Sequence, residues 1–202
     1  MKKRSVDVLR LSLFLLAMAF SRPLYADSPA LEYLKTSLAS LQQVLTDPKL
    51  AGDEHWPQRR KLVRTVLQQL FDFQEMSRRS LGANARRYKD RLGEFTPLFV
   101  DFLEHAYMGT LEKNGDAKIQ YVREILDGEN VRISTKARLK DGSEYTVDYK
   151  LYLSPAGWRV YDVIVEGISL VNNYRSQFER VLSKKSFDAL LQDLREKKET
   201  FN

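Results

Sequence analysis

Residues 157–178 read GWRVYDVIVEGISLVNNYRSQF, and the period of that line changes halfway along. From Trp158 to Val165 it is an alternating run rich in β-branched residues, the pattern of a strand. Val160 and Ile164 share one face with Asp162, while Tyr161, Val163 and Val165 share the other, so the buried face stays open. The run stops at Glu166-Gly167, where a glycine permits a sharp turn. Ser169 then offers an N-cap, and Leu170, Tyr174, Phe178 and Val181 fall on one side of a helix. A strand therefore feeds a helix through a tight joint. Asn172, Asn173, Arg175 and Gln177 crowd the start of that helix. Polar residues just past a strand end suggest catalysis. They equally fit hydrogen bonds that fix the joint, or a partner surface.

Working upstream, three more period-2 runs precede this strand, at 118–126, 131–139 and 144–153. The connections Asp127-Gly128-Glu129-Asn130, Lys140-Asp141-Gly142-Ser143 and Ser154-Pro155-Ala156-Gly157 are short and hold turn residues. Four strands joined this way form an antiparallel meander. In the third, Tyr145, Val147, Tyr149, Leu151 and Leu153 share a face, and Thr146, Asp148, Lys150 and Tyr152 make the other at least partly wet.

The segments before residue 118 and after Gly167 are helical. Ser28 can cap a helix with Pro29 first and Leu31, Leu34, Leu38, Leu41 and Leu45 as its stripe, ending at Asp47-Pro48. A second starts near Pro57 with Leu62, Val63, Val66, Leu67, Leu70 and Phe71 on its apolar face. In FDFQEM, Asp72 caps, Glu75 takes the third position, and Phe71 and Met76 can staple. A fourth helix is expected to start at Thr96-Pro97, with Phe95, Leu98, Phe99, Phe102, Leu103 and Ala106 inward. The last begins at Ser186, burying Phe187, Leu190, Leu191 and Leu194. The expected class is α+β: a strongly twisted four-stranded antiparallel sheet covered by about seven helices, packed on one face.

The first residues read as an export signal. A basic start, MKKRSVDVLR, precedes a ten-residue apolar core, LSLFLLAMAF, and cleavage is expected after Ala26. That leaves 27–202 as one domain and removes five cations and one acid, taking the formal charge from +6 to +2. A nucleic-acid role loses its electrostatic basis. No later run approaches the ~18 apolar residues of a membrane span. With no Cys there are no disulfides, thiol nucleophiles or cysteine zinc ligands. The expected product is a soluble, exported protein.

Catalytic machinery is thin. His55 reads as a loop residue and His105 as a partly exposed structural histidine. No HExxH, G-x-S-x-G, Walker A or dinucleotide fingerprint occurs. Asp162 beside tyrosines could serve a cavity as a general base, although such an Asp more often accepts from backbone amides. Arg78, Arg79, Arg86, Arg87, Lys89 and Arg91 form either a solvated face or an anion-facing patch.

The long line at 157–178, with FDFQEMSRRSLG upstream, resembles the MlaC family, also known as the toluene-tolerance family. The resemblance covers essentially the whole chain after the signal. It implies a nuclear-transport-factor-like cone enclosing an apolar cavity. It also implies a periplasmic shuttle for diacyl phospholipid, without cofactor or metal. Such a shuttle runs between an outer-membrane lipoprotein–porin complex and an inner-membrane ABC transporter with an MCE-domain subunit, maintaining outer-membrane asymmetry. A monomer is expected. Chosen by face, the candidate lipid-lining residues are Phe99, Phe102, Tyr121, Ile133, Val147, Tyr149, Leu151, Val171, Tyr174 and Phe178. Arg79, Arg86, Arg87 and Arg91 are candidates for the pocket mouth or a partner contact. A cavity enzyme on the same fold and a protein-binding module with a solid core are the competing readings.

N-terminal sequencing of the protein recovered from the periplasm of a Gram-negative host should begin Asp27-Ser28-Pro29. A product that retains Met1 contradicts the export reading.

Overall fold

The structure, a computed structural model, describes residues 27–196; the signal segment expected at 1–26 lies outside them. Helix α1 (Pro29–Thr46) starts where expected, Ser28 Oγ accepting the Leu31 N–H at 3.1 Å. Its stripe buries Ala30, Leu34, Leu38 and Leu41. Helix α2 (Trp56–Leu70) follows two short 3-10 turns, and α3 (Phe73–Leu81) is capped by Asp72, whose Oδ1 accepts the Glu75 N–H at 2.8 Å. The four-residue α4 (Asn84–Arg87) leads through another 3-10 turn into α5 (Leu92–Lys113).

Helix α5 departs from expectation. It begins at Leu92, so Thr96 and Pro97 lie inside it and Thr96 is not its cap. Phe95, fully buried among the helices, fixes the turn ahead of the proline. The helix gives up the hydrogen bond that the proline cannot donate. Glu104 of α5 is buried and takes Arg64 of α2 at 2.5 Å and Arg60 at 3.4 Å, so two basic residues of α2 brace α5.

The four expected strands are present: β1 (Lys118–Asp127), β2 (Asn130–Arg138), β3 (Glu144–Ser154) and β4 (Gly157–Val165). The sheet nevertheless has five strands, in the order β1-β2-β3-β4-β5, each antiparallel to its neighbour. Strand β5 (Ile168–Ser169) is the correction to the four-strand expectation. Glu166 (φ 49°) and Gly167 (φ 80°) both adopt left-handed backbone, which turns the chain in two residues. Val165 then pairs Ile168 and Ile164 pairs Ser169. At two residues, β5 is too short to carry a period.

The ambiguity of β4 resolves through a bulge. Leu151 pairs Val160 and Lys150 pairs Asp162, which leaves Tyr161 as the extra residue. Val160, Val163 and Val165 therefore share a face with Leu151, Tyr149 and Val147, and Asp162 and Ile164 face the other way. We call the first face inner and the second outer.

Helices pack on both faces, which corrects the expectation of one. On the inner face Ala30, Leu34 and Leu38 of α1 and Leu70 of α2 meet Val131, Ile133, Leu151 and Val160. On the outer face α3 and α6 (Leu170–Leu182) reach β4. Arg79 lies 4.1 Å over the Tyr161 ring, and Tyr152 donates its hydroxyl to Asp72. The face carrying Tyr152 is thus covered at that end and wet at Thr146.

The joint from β4 to α6 is held by Asp162. It is 3% exposed; Oδ1 accepts the Val171 N–H at 3.1 Å and Oδ2 accepts the Ser169 hydroxyl at 2.7 Å. Ser169 Oγ in turn caps α6 by accepting the Asn172 N–H at 3.1 Å. Helix α7 (Phe187–Arg195), capped by Ser186, packs with α5 and α6.

Replacing Asp162 with Ala strands the Val171 amide and frees the cap, a cost of about 1–3 kcal/mol. Urea denaturation reads this as a lower midpoint at unchanged slope, and an unchanged midpoint contradicts the role of the joint. The Tyr152 phenol is pushed up to about 12, first by burial and then by its hydrogen bond to Asp72. The folded state therefore favours the neutral phenol more than the unfolded chain does. The resulting stability is complete below about pH 10 and is lost as pH climbs towards 12. Ultraviolet titration of the phenolate against Tyr152→Phe checks this; a Tyr152 that ionises at pH 10 refutes it.

Candidate functional site

The sheet candidates come together in register on the inner face. One row runs Tyr121–Thr135–Val147–Val165, the next Ile133–Tyr149–Val163, and the third Val131–Leu151–Val160. The third row and Ile133 are buried beneath α1. Moving towards the ends at Ala137 and Tyr145, cover thins. Ile119, Tyr121, Val147, Tyr149 and Val163 are half-buried, while Tyr145 (42%), Val165 (44%) and Ile168 (66%) are exposed. Burial pushes the Tyr149 and Tyr121 phenols up, so both stay neutral and present an apolar ring with one polar tip.

The helical candidates form a second group. Phe99 meets Tyr174 and Phe178 edge-on, each at 5.3 Å, and Phe102 meets Tyr174 at 5.6 Å. Phe95 crosses Phe178 at 5.5 Å. Burial, and then a 3.2 Å hydrogen bond with Tyr107, push the Tyr174 phenol up. This cluster joins α3, α5, α6 and α7 and contains no strand residue. Val171 is buried beside the joint.

The two groups of candidates do not meet in one space: the sheet group packs under α1 and the helical group packs on itself. The internal apolar cavity is not shown either. Two concavities, of about 390 and 140 Å³, are open grooves along β1–β3. The physical reason is that apolar faces of neighbouring helices satisfy each other as readily as they satisfy a sheet.

The arginine candidates separate as well. Arg79 binds Glu75 at 2.6 Å and stacks on Tyr161, and Arg91 binds Glu94 and Asp188 at 2.8 and 2.7 Å. Both brace the helical layer. Arg86 and Arg87 are exposed, the latter 5.3 Å over the Tyr88 ring. Reading by face missed Ile119, Val163 and Val165. Ile119 stands two residues from the chosen Tyr121 in unbroken alternation, while the bulge at Tyr161 hid which way Val163 and Val165 point.

The general-base reading of Asp162 loses its footing, since both carboxylate oxygens are taken up in the joint, and Lys150 stands 3.8 Å away. Asn172 and Asn173 are exposed. Arg175 donates to the Arg79 carbonyl at 2.9 Å, tying α6 to α3. Among the described residues no cluster of three or more His, Cys, Asp or Glu could hold a metal, and no helix is long and apolar enough to cross a membrane.

Comparison with known proteins gives the arrangement a context. No curated protein matches the chain. Among solved structures, the phospholipid-binding protein from Ralstonia solanacearum, in complex with a phospholipid at 1.53 Å, is similar. It superposes with a TM-score of 0.74 at 25% identity, over 85% of this chain and 97% of that one. The family model described as MlaC protein matches residues 35–196, from within α1 to the end of the described residues. With that span matched by sequence and the strand–joint–helix unit inside it, the chain belongs to the MlaC family.

Proposed function

We propose that this protein binds and carries diacyl phospholipid. The observation that carries the reading is family membership together with a similar structure solved around a phospholipid. The inner face supplies suitable chemistry, an apolar surface whose cover thins towards one end.

The energetics set the requirement. A buried CH₂ is worth roughly 0.8 kcal/mol, so each long acyl chain needs on the order of 10 kcal/mol of compensating burial to leave a bilayer. The headgroup keeps its charges near water. Tails lie on the inner face along the rows of Tyr121, Val147 and Tyr149, against Ile133 and Leu151, beneath α1 and α2. Phe99, Phe102, Val171, Tyr174 and Phe178 belong to the helical layer, which reaches β4 from the outer face. Because α1 packs on those rows, loading requires it to lift from the sheet and an apolar cavity to open beneath it. A closure made of hydrocarbon contacts discriminates weakly between headgroups.

In this reading the protein is a monomer, exported to the periplasm by a cleaved signal. It passes lipid between an outer-membrane lipoprotein–porin complex and an inner-membrane ABC transporter with an MCE-domain subunit, maintaining outer-membrane asymmetry. The packed core also fits the solid-core binding module, but the similar structure solved around a phospholipid favours the carrier.

Native mass spectrometry with lipid extraction, on protein purified from a Gram-negative host, should find a co-purifying diacyl phospholipid. Val147→Trp or Tyr149→Trp should reduce the loaded fraction severalfold in a folded protein. Wild type without lipid that also resists loading refutes the carrier reading. Normal loading of both variants refutes only the assignment of the rows.

A further inference from the structure

The outer face of β1–β3 is used by nothing described so far. Its covered end lies under α3 and α6, but the opposite end is open. Lys118, Gln120, Val122, Arg123, Lys136, Arg138, Glu144 and Thr146 are all exposed there.

The register explains how cations gather on it. Lys118 stands opposite Arg138, Gln120 opposite Lys136, and Arg123 opposite Ser134. The bulge between Tyr121 and Arg123 inserts Val122 and keeps Arg123 on this face, opposite Ser134. The two open grooves adjoin here, and Lys136 lines both. Arg123, Ser134 and Thr146 help line one, and Lys118 lines the other.

Two acids share this end of the face; Asp148 lines the groove beside Arg123 and Lys136, and its buried Oδ1 has no hydrogen-bond partner among the described residues. Glu144 pairs Arg138 at 2.5 Å and Asp148 pairs Arg132 at 3.6 Å. Lys118, Arg123 and Lys136 form no ion pair among the described residues, and they leave the patch net positive. The patch holds no aromatic anchor, and Val122 is its only exposed large apolar side chain. Specific protein interfaces centre on buried aromatic anchors with few charges. Dispersed cations without an anchor suit a fluid array of phosphates better.

A second observation points the same way. At this end of the sheet the inner face exposes Tyr145, Val165 and Ile168. Cations on one side of an edge and exposed apolar side chains on the other are what the headgroup boundary of a bilayer accommodates.

We propose that this end of the sheet docks on the headgroup surface of an anionic bilayer, with Lys118, Arg123 and Lys136 facing lipid phosphates. The inference rests on the carrier reading for the reason such a protein meets a bilayer. Docking in this orientation brings the thinly covered half of the inner face to the membrane.

The test is co-sedimentation of the full-length mature protein with vesicles of phosphatidylcholine alone, or mixed in equal parts with phosphatidylglycerol. Wild type should partition onto the mixed vesicles, release steeply as salt is raised, and ignore phosphatidylcholine. Arg123→Glu with Lys136→Glu should lower partitioning by more than about tenfold. Lys61→Glu with Lys184→Glu changes net charge equally on exposed sites elsewhere and should lower it far less. Free inorganic phosphate at moderate concentration should not compete beyond its ionic strength, which separates a surface array from a single phosphate site. Equal losses in the two double variants overturn the proposal, as does failure of wild type to bind the mixed vesicles. Lipid content is measured on the same preparations. Wild type that is lipid-free, resists loading and still docks fails the carrier reading and leaves the docking face standing.

Discussion

A buried carboxylate at the end of a strand sets the relation between the two layers of this protein. Asp162 accepts from the Val171 amide and the Ser169 hydroxyl, and Ser169 caps α6. One side chain thereby fixes where β4 ends, how β5 folds back, and where α6 starts. The bulge at Tyr161 is part of the same device, because it turns Asp162 to the outer face while Val160 and Val163 stay inward. Without it, either the carboxylate would point into the apolar rows or the valines would point out of them.

Three apolar assemblies make up the core of the described residues. One is the inner face of the sheet under α1, and the second is the aromatic cluster among α3, α5, α6 and α7. The third, Leu41 of α1, Val63 of α2 and Met108 of α5, links the helices over the inner face to the helical layer. An apolar guest on the inner face would be taken up where α1 lifts from the sheet. Arg79, Arg175 and Glu75 strengthen the helical layer from outside, and Glu104 with Arg60 and Arg64 ties α2 to α5.

Much of this architecture was legible in residue order, for identifiable reasons. The four long strands carry period-2 runs separated by glycine-bearing turns, and only the bulges in β1 and β4 interrupt the alternation. The caps at Ser28, Asp72, Ser169 and Ser186 are local chemistry, and each accepts the N–H of the residue three positions on. Strand β5 is hidden by brevity. Helix α5 begins early because Phe95 gains more by burial than Pro97 costs, a balance set by tertiary contacts. Of the candidate lining residues, Phe99, Phe102, Tyr174 and Phe178 join the helical cluster, Tyr121, Ile133, Tyr149 and Leu151 join the inner-face cluster, and Val147 and Val171 belong to neither. Which cluster each would join was not legible, since the choice between two amphipathic partners depends on packing between distant segments. The outer-face cations were equally hidden, because Arg123 and Lys136 become neighbours only through the bulged register of β1 on β2.

The central claim is that acyl chains lie on the inner face, along the rows of Val147 and Val163. Isotope-filtered NMR of protein with labelled methyl groups, loaded with unlabelled phospholipid, addresses it directly. The account predicts nuclear Overhauser contacts from acyl methylene protons to the Val147 and Val163 methyls. Loaded protein in which acyl protons contact neither valine would contradict it.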